Sequence, residues 1–296
     1  SIENYTGRTI KAIGIADAQN RMLEVFDGTI SLKAFVNQAN DTSFLSKYFD
    51  DATQMVFRVD GHEGLVYSEL SLWKKELGLS PYQEILHDFD LGSCELFEAR
   101  GDSLIVRGKH QLLEKVLIPK DKVVVFEAGA EMDMIQEAAF ISHSPVYMMG
   151  TKEQPIVIHS SDSSAIAITV LQAQGKSELK YVVFSHLNTL NYKGWVLTGA
   201  VNFYESEVLI SDCSFENNHC EDALNIIRTD FHVTRSHFEH IFADAFDSDF
   251  CTGMLDYTSF EYVGNDAIDF STSQIQIEYC EINNINDKGI SGGEGS

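Results

Sequence analysis

The sequence predicts an all-β chain: a right-handed parallel β-helix with three strands per coil, preceded by a small β-rich module. Three apolar columns on one shared period carry this reading, together with a polar column beside them. Four segments align, Glu221-Asp222-Ala223-Leu224-Asn225, Ala243-Asp244-Ala245-Phe246-Asp247, Asn265-Asp266-Ala267-Ile268-Asp269 and Asp287-Lys288-Gly289-Ile290-Ser291. Their apolar position recurs at Leu224, Phe246, Ile268 and Ile290. A second column runs through Phe215, Phe238, Phe260 and Ile282, and a third through Ile210, Val233, Leu255 and Ile277. The period of about 22 is too short for helix-pair repeats, and the leucine and asparagine ladder of a leucine-rich repeat is missing. Alternation within each segment reads as strand. Each coil then rises about 4.8 Å above the last.

Earlier coils are less regular. Val123–Phe126 and Val146–Met148 end in the small turns Ala128-Gly129-Ala130 and Met149-Gly150-Thr151. Pro155–Ile158, Ala165–Ile168 and Tyr181–Phe184 supply further strands with longer turns. The solenoid is expected to span 93–296. Residues 1–92 form the β-rich module or cap, with strands at Thr9–Ala16, Met22–Phe26, Ile30–Val36 and Met55–Val59. Two short helices are expected after it, one opened by the capping box Ser80-Pro81-Tyr82-Gln83.

The composition sets limits on function. The chain has 296 residues, is 44% hydrophobic and carries a formal charge of −24. The hydrophobic content excludes disorder. The charge excludes nucleic acid and anionic membrane as direct partners, because both would be repelled. No apolar run reaches the roughly 18 residues that span a bilayer, so membrane insertion is not expected. The chain opens at Ser1 rather than Met with no leader pattern, which predicts a processed or cut N-terminus. A full repeat at 287–291 is followed by no polar cap, so the end is expected to meet further coils or a capping partner.

The charge is concentrated. Residues 201–296 hold 19 acidic and 3 basic side chains, the bases being Arg228, Arg235 and Lys288. Alternation points Phe215, Phe238, Phe260 and Ile282 inward, so Ser214, His237, Ser259 and Glu281 point outward. Cys213, Ser236, Thr258 and Cys280 also point inward. Cys213 and Cys280 are three coils apart, too far for a disulfide, and read as small buried residues. His232, His237 and His240 fall within one coil, with surface placement as the default and a metal trio as the alternative.

The strand through Leu224, Phe246, Ile268 and Ile290 carries the chemistry. Asn225, Asp247, Asp269 and Ser291 follow these residues and point out. Asp222, Asp244, Asp266 and Lys288 precede them at the turn, and Asp249 extends the surface. Carboxylates stacked about 4.8 Å apart repel, raise one another's pKa, or demand a cation. Two jobs compete for Asp222, Asp244 and Asp266: capping backbone N–H groups, or function. Asp247 and Asp269 stand mid-strand, where Asp is disfavoured. Lys288 continues the column and is expected to pair with Asp266. Three uses of the ladder follow. Asp222, Asp244, Asp247, Asp249, Asp266 and Asp269 could hold Ca2+, which takes oxygen ligands. Asp244, Asp247, Asp266 and Asp269 could cleave a glycan. The strip could also hydrogen-bond sugar hydroxyls without chemistry.

Through these repeats, residues 93–296 resemble the pectin lyase-like β-helix superfamily. Polygalacturonases of that superfamily carry Asn-Thr-Asp, Asp-Asp and Gly-His-Gly-Ile-Ser on successive coils. The corresponding stretches here are Phe242-Ala243-Asp244, Asn265-Asp266 and Asp287-Lys288-Gly289-Ile290-Ser291. The resemblance implies carboxylate roles for Asp244 and Asp266, while Asn265 replaces one Asp and Lys288 replaces the His. The chain also looks like uncharacterised bacterial secreted and surface β-helix proteins. That likeness implies a secreted or cell-surface module that binds a polysaccharide or other polymer, or acts as a scaffold. A hydrolase or lyase is the competing expectation.

Overall fold

The computed structural model describes residues 8–32, 53–69, 94–192, 194–293 and 295–296. The chain divides into two compact units, Ser1–Gly78 and Leu79–Ser296. In the first, a four-stranded antiparallel sheet has the spatial order Met22–Leu32, Ile10–Ala16, Gln54–Val59, Val66–Glu69. The expected strands at 22–26 and 30–36 are one strand as far as Leu32. The register slips between Ala12, opposite Ile30, and Gly14, opposite Val25. The Asp27-Gly28 pair is therefore taken up as a bulge rather than a chain-reversing turn. A side chain at Gly14 would place its Cβ 2.1 Å from the Glu24 carbonyl oxygen, so only glycine fits there. The strand Val66–Glu69 was not expected, and the expected helix at 80–83 lies outside the described residues.

The second unit is a right-handed parallel β-solenoid. Its strands stack into three long sheets, here called the first, second and third faces. One coil runs from Asp230–Thr234 on the first face, through His237–Ile241 on the second, to Asp244–Asp249 on the third. The second and third faces have eight strands each, and all their neighbours are parallel. On the first face, Glu98–Arg100 lies antiparallel to Ser103–Val106 at one edge. All three apolar columns pair in register: Leu224 with Phe246, Phe246 with Ile268, Phe238 with Phe260, and Val233 with Leu255.

Inside, the phenylalanines form a continuous stack. Ring centroids are 5.1 Å apart from Phe184 to Phe215, 4.5 Å from Phe215 to Phe238, and 4.9 Å from Phe238 to Phe260. Cys213 is buried and Cys280 half-buried, neither in a disulfide. Burial pushes the Cys213 thiol up to about 12, where it is inert.

The corners turn through left-handed backbone. Tyr181, Asp212, Arg235, Tyr257 and Tyr279 occupy one corner with φ of 50°, 55°, 46°, 47° and 54°. Such a residue costs about 1–2 kcal/mol when it is not glycine. The N–H groups of Tyr181, Asp212, Arg235 and Tyr257 each recover a hydrogen bond to the next coil, as from Asp212 to the Thr234 carbonyl at 3.1 Å. Stacking of exposed rings, Tyr257 on Tyr279 at 4.9 Å, adds to this. No helix among the described residues is long and apolar enough to cross a membrane.

Candidate functional site

Along the outer side of the third face, one ladder changes chemistry from end to end. Its successive partners are Leu117, Ile141, Thr169, Asn202, Asn225, Asp247, Asp269 and Ser291. Parallel pairing brings like beside like, so the apolar end needs a cover. A hairpin supplies it: Leu190–Tyr192 pairs antiparallel with Trp195–Leu197. Leu190 closes a second, external core over Leu117, Ala139, Ile141 and Ala167.

The hairpin returns at Thr198 and Gly199, and here the polar part of the ladder begins. Asn202 is satisfied locally. Its Oδ1 accepts the Gly199 N–H at 3.0 Å, and its Nδ2 donates to Thr169 Oγ1 at 3.2 Å. A Cβ at Gly199 would lie 2.4 Å from Asn202 Oδ1, so the close approach requires glycine. Asn225, expected to face solvent, is only 2% exposed, because Thr198 covers it. Asn225 Nδ2 lies 2.6 Å from Thr198 Oγ1, 2.8 Å from Asp222 Oδ2 and 3.1 Å from Asp247 Oδ2. Asn225 Oδ1 is buried and has no hydrogen-bond partner.

The six aspartates separate into groups. Asp244 Oδ1 accepts the N–H of Asp266 at 2.8 Å and the Asn265 amide at 2.6 Å. Asp266 Oδ1 accepts the N–H of Lys288 at 2.9 Å, and its Oδ2 is 3.3 Å from Lys288 Nζ. Both residues thus cap the next coil, and the expected Lys288 ion pair forms. Asp222 sits deep under Thr198, and burial raises its pKa to about 6. Asp247 rises further, to about 8. Burial is the main cause, followed by repulsion from Asp222, Asp249, Asp269 and Asp244. Burial also raises Asp244 and Asp249. Among the described residues, the carboxylate of neither Asp249 nor Asp269 accepts a hydrogen bond, and no Lys, Arg or His forms an ion pair with Asp222, Asp244, Asp247, Asp249 or Asp269.

Aromatic side chains flank this floor. Phe242, two residues before Asp244, is 63% exposed and meets His219 edge-on at 4.0 Å. Phe250 follows Asp249, with the Arg228 guanidinium 5.2 Å from its ring centre. A second outward ladder runs through Leu171, Tyr204, Ile227, Asp249 and Ser271. Its Leu171–Tyr204 end opens into a cleft of about 290 Å³ lined by His143, Gln172, Trp195 and Leu197. The cleft and the carboxylates therefore lie on one strip, with Tyr204 two coils, about 10 Å, from Asp249.

Among the described residues, no group of three or more His, Cys, Asp or Glu side chains is placed to hold a metal ion. His237 faces outward, with Nδ1 2.7 Å from Ser259 Oγ. Sequence reasoning missed Thr198, Trp195 and Tyr204. Their only signal was the break in period, since Asn202 follows its partner Thr169 by 33 residues rather than 22.

Compared with known proteins, the chain matches no family model, no curated protein and no solved structure. Its likeness to the pectin lyase-like proteins is one of general fold class.

Proposed function

We propose that the solenoid binds an elongated glycan or comparable surface polymer along the outer side of its third face. One observation carries this reading: Trp195 and Tyr204 at a cleft share a continuous strip with the open carboxylates of Asp249 and Asp269. Aromatic rings take the apolar faces of sugars, and carboxylates accept hydrogen bonds from their hydroxyls. The formal charge of −24 favours a neutral or amino-substituted glycan over a polyuronate. A secreted or cell-surface location goes with this reading.

A second reading has its own observation. Asp247, with its pKa raised to about 8, carries a proton near neutrality and pairs directly with Asp269 one coil on. A protonated acid beside a second carboxylate is the arrangement that glycoside cleavage uses.

A panel of neutral, amino-substituted and acidic glycans tests both. Binding to a neutral or amino-substituted chain, weakened in Tyr204→Ala and Asp249→Asn, is the expected result. Retention of no glycan on the panel overturns the binding reading. Cleavage products that persist in Asp247→Asn and Asp269→Asn remove the catalytic assignment.

A further inference from the structure

We propose that the corner between the second and third faces carries a separate saccharide site, a cleft that takes one neutral hexopyranose ring. The argument begins with the order of residues around this corner. On successive coils the turning residue is Asn217, His240, Tyr262 and Asn284, all in left-handed backbone with φ between 53° and 55°. The residue after it points inward, as Ile241, Val263 and Ile285 do in register. The one after that points out again: His219, Phe242, Gly264 and Asn286. Two outward rows therefore run along the solenoid with a furrow between them. Where the rows become aromatic, the furrow opens into a cleft of about 380 Å³.

The rings stand where local rules favour other residues. Asn tolerates left-handed backbone better than bulky side chains do, and it holds the turn at Asn217 and Asn284. His240 and Tyr262 occupy the two coils between. Tyr262 is 48% exposed and stacks on His240 with ring centres 4.9 Å apart. Phe242 exposes its ring in the facing row, which is otherwise polar or glycine. A Cβ at Gly264 would collide with the Phe242 carbonyl oxygen, so this row offers Phe242 no side chain from the next coil. Departures from local preference without a gain in packing mark sites kept for another purpose.

Polar groups meet at the same cleft. Among the described residues, the Asn217 amide, the His219 ring nitrogens and the Tyr262 hydroxyl make no hydrogen bond. His240 Nδ1 faces Glu239 Oε1 at 3.3 Å, which leaves its Nε2. The buried Asn218 beneath them belongs to the fold, since it accepts the Leu187 N–H at 2.9 Å and donates to the Phe184 carbonyl at 3.2 Å. Aromatic surface beside amide, imidazole and hydroxyl groups matches a sugar ring, with its apolar C–H faces and its rim of hydroxyls. No Lys or Arg lines the cleft, and Glu239 and Glu261 adjoin its rings in sequence, so an acidic sugar is repelled. None of these residues lines the cleft of Trp195 and Tyr204, so either site can fail without the other.

Imidazole NMR of the full chain tests the proposal, because His219 and His240 report on this cleft and His143 on that of Trp195 and Tyr204. The probes are the methyl glycosides of glucose, galactose and mannose, with that of glucuronic acid as the acidic counterpart. Saturable shifts of His219 and His240 with a neutral glycoside at millimolar concentration are the expected result. Phe242→Ala, at an exposed position, should weaken binding roughly threefold to tenfold, and Tyr204→Ala should leave it unchanged. Absence of a shift at His219 and His240 with all three neutral glycosides overturns the proposal, as does a shift confined to His143. Undiminished binding in Phe242→Ala, or tighter binding of the glucuronide than of every neutral glycoside, also overturns it.

Discussion

Asp244 Oδ1 lies 2.8 Å from the backbone nitrogen of Asp266, one coil on, and accepts its hydrogen. Asp266 repeats the contact with Lys288 at 2.9 Å. On these two coils a carboxylate thus fixes the height of the next. A hydrogen bond to a charged group contributes about 1.5–3 kcal/mol. Asp244→Ala and Asp266→Ala are each expected to lose about that much in urea unfolding. Asn keeps an acceptor oxygen at the same place, so Asp244→Asn should lose less than half as much. Equal losses for Ala and Asn would show that the charge, not the cap, sets the stability.

Asp247 and Asp222 make stability depend on pH in an unusual direction. Their folded pKa values, about 8 and about 6, lie above the ordinary carboxylate value of 3.8. Between 3.8 and the folded value the native state holds a proton that the unfolded chain has released. Raising the pH across that window therefore destabilises the fold, and the contribution is complete only below about pH 4. In chelator, the melting temperature should fall from pH 5 to pH 8. Asp247→Asn, which mimics the protonated acid, should flatten the upper part of the curve. A melting temperature that rises over this range in wild-type protein would exclude the buried-acid account.

Phe238 occupies the middle of the aromatic stack, 4.5 Å from Phe215 and 4.9 Å from Phe260. It is fully buried. Truncation to alanine removes contacts to both neighbouring coils and leaves a cavity, at a cost of about 3–5 kcal/mol. Phe238→Leu should cost less, because more of the volume is kept. Chemical denaturation of the two variants checks the order. A Phe238→Ala variant as stable as wild type would mean that the coils do not depend on the stack.

The regular coils were legible because their apolar positions occur in phase. Leu224, Phe246, Ile268 and Ile290 pair in the register their spacing implies. Alternation also assigned Cys213 and Phe215 inward and His237 outward correctly. It assigned Asn225 to the outer side correctly but could not show what lay over it. Inside versus outside is a local property, fixed by strand geometry. Burial on the outer side is not local, since it depends on an insertion folding back across several coils. Thr198 reaches Asn225 27 positions away in sequence. No period links them. For the same reason Asp222 read as a surface acid, although it is only 3% exposed.

That insertion can be tested directly through Leu190. The side chain is fully buried against Leu117, Ala139, Ile141 and Ala167, all on the outer side of the third face. Leu190→Ala should cost about 2–5 kcal/mol, whereas the volume-conserving Leu190→Met should cost less than about 1.5 kcal/mol. In a solenoid each coil touches only its neighbours, so the damage should stay close to the hairpin. Thr198 and Gly199 leave the hairpin directly for the strand Gly199–Tyr204, which carries both Asn202 and the cleft residue Tyr204. Loosening the hairpin should therefore speed amide exchange in Gly199–Tyr204 and Asp222–Ile227, and leave Thr252–Asp256 on the first face at its wild-type rate. Exchange that quickens equally across all coils would show that the hairpin stabilises the whole stack rather than the site beneath it.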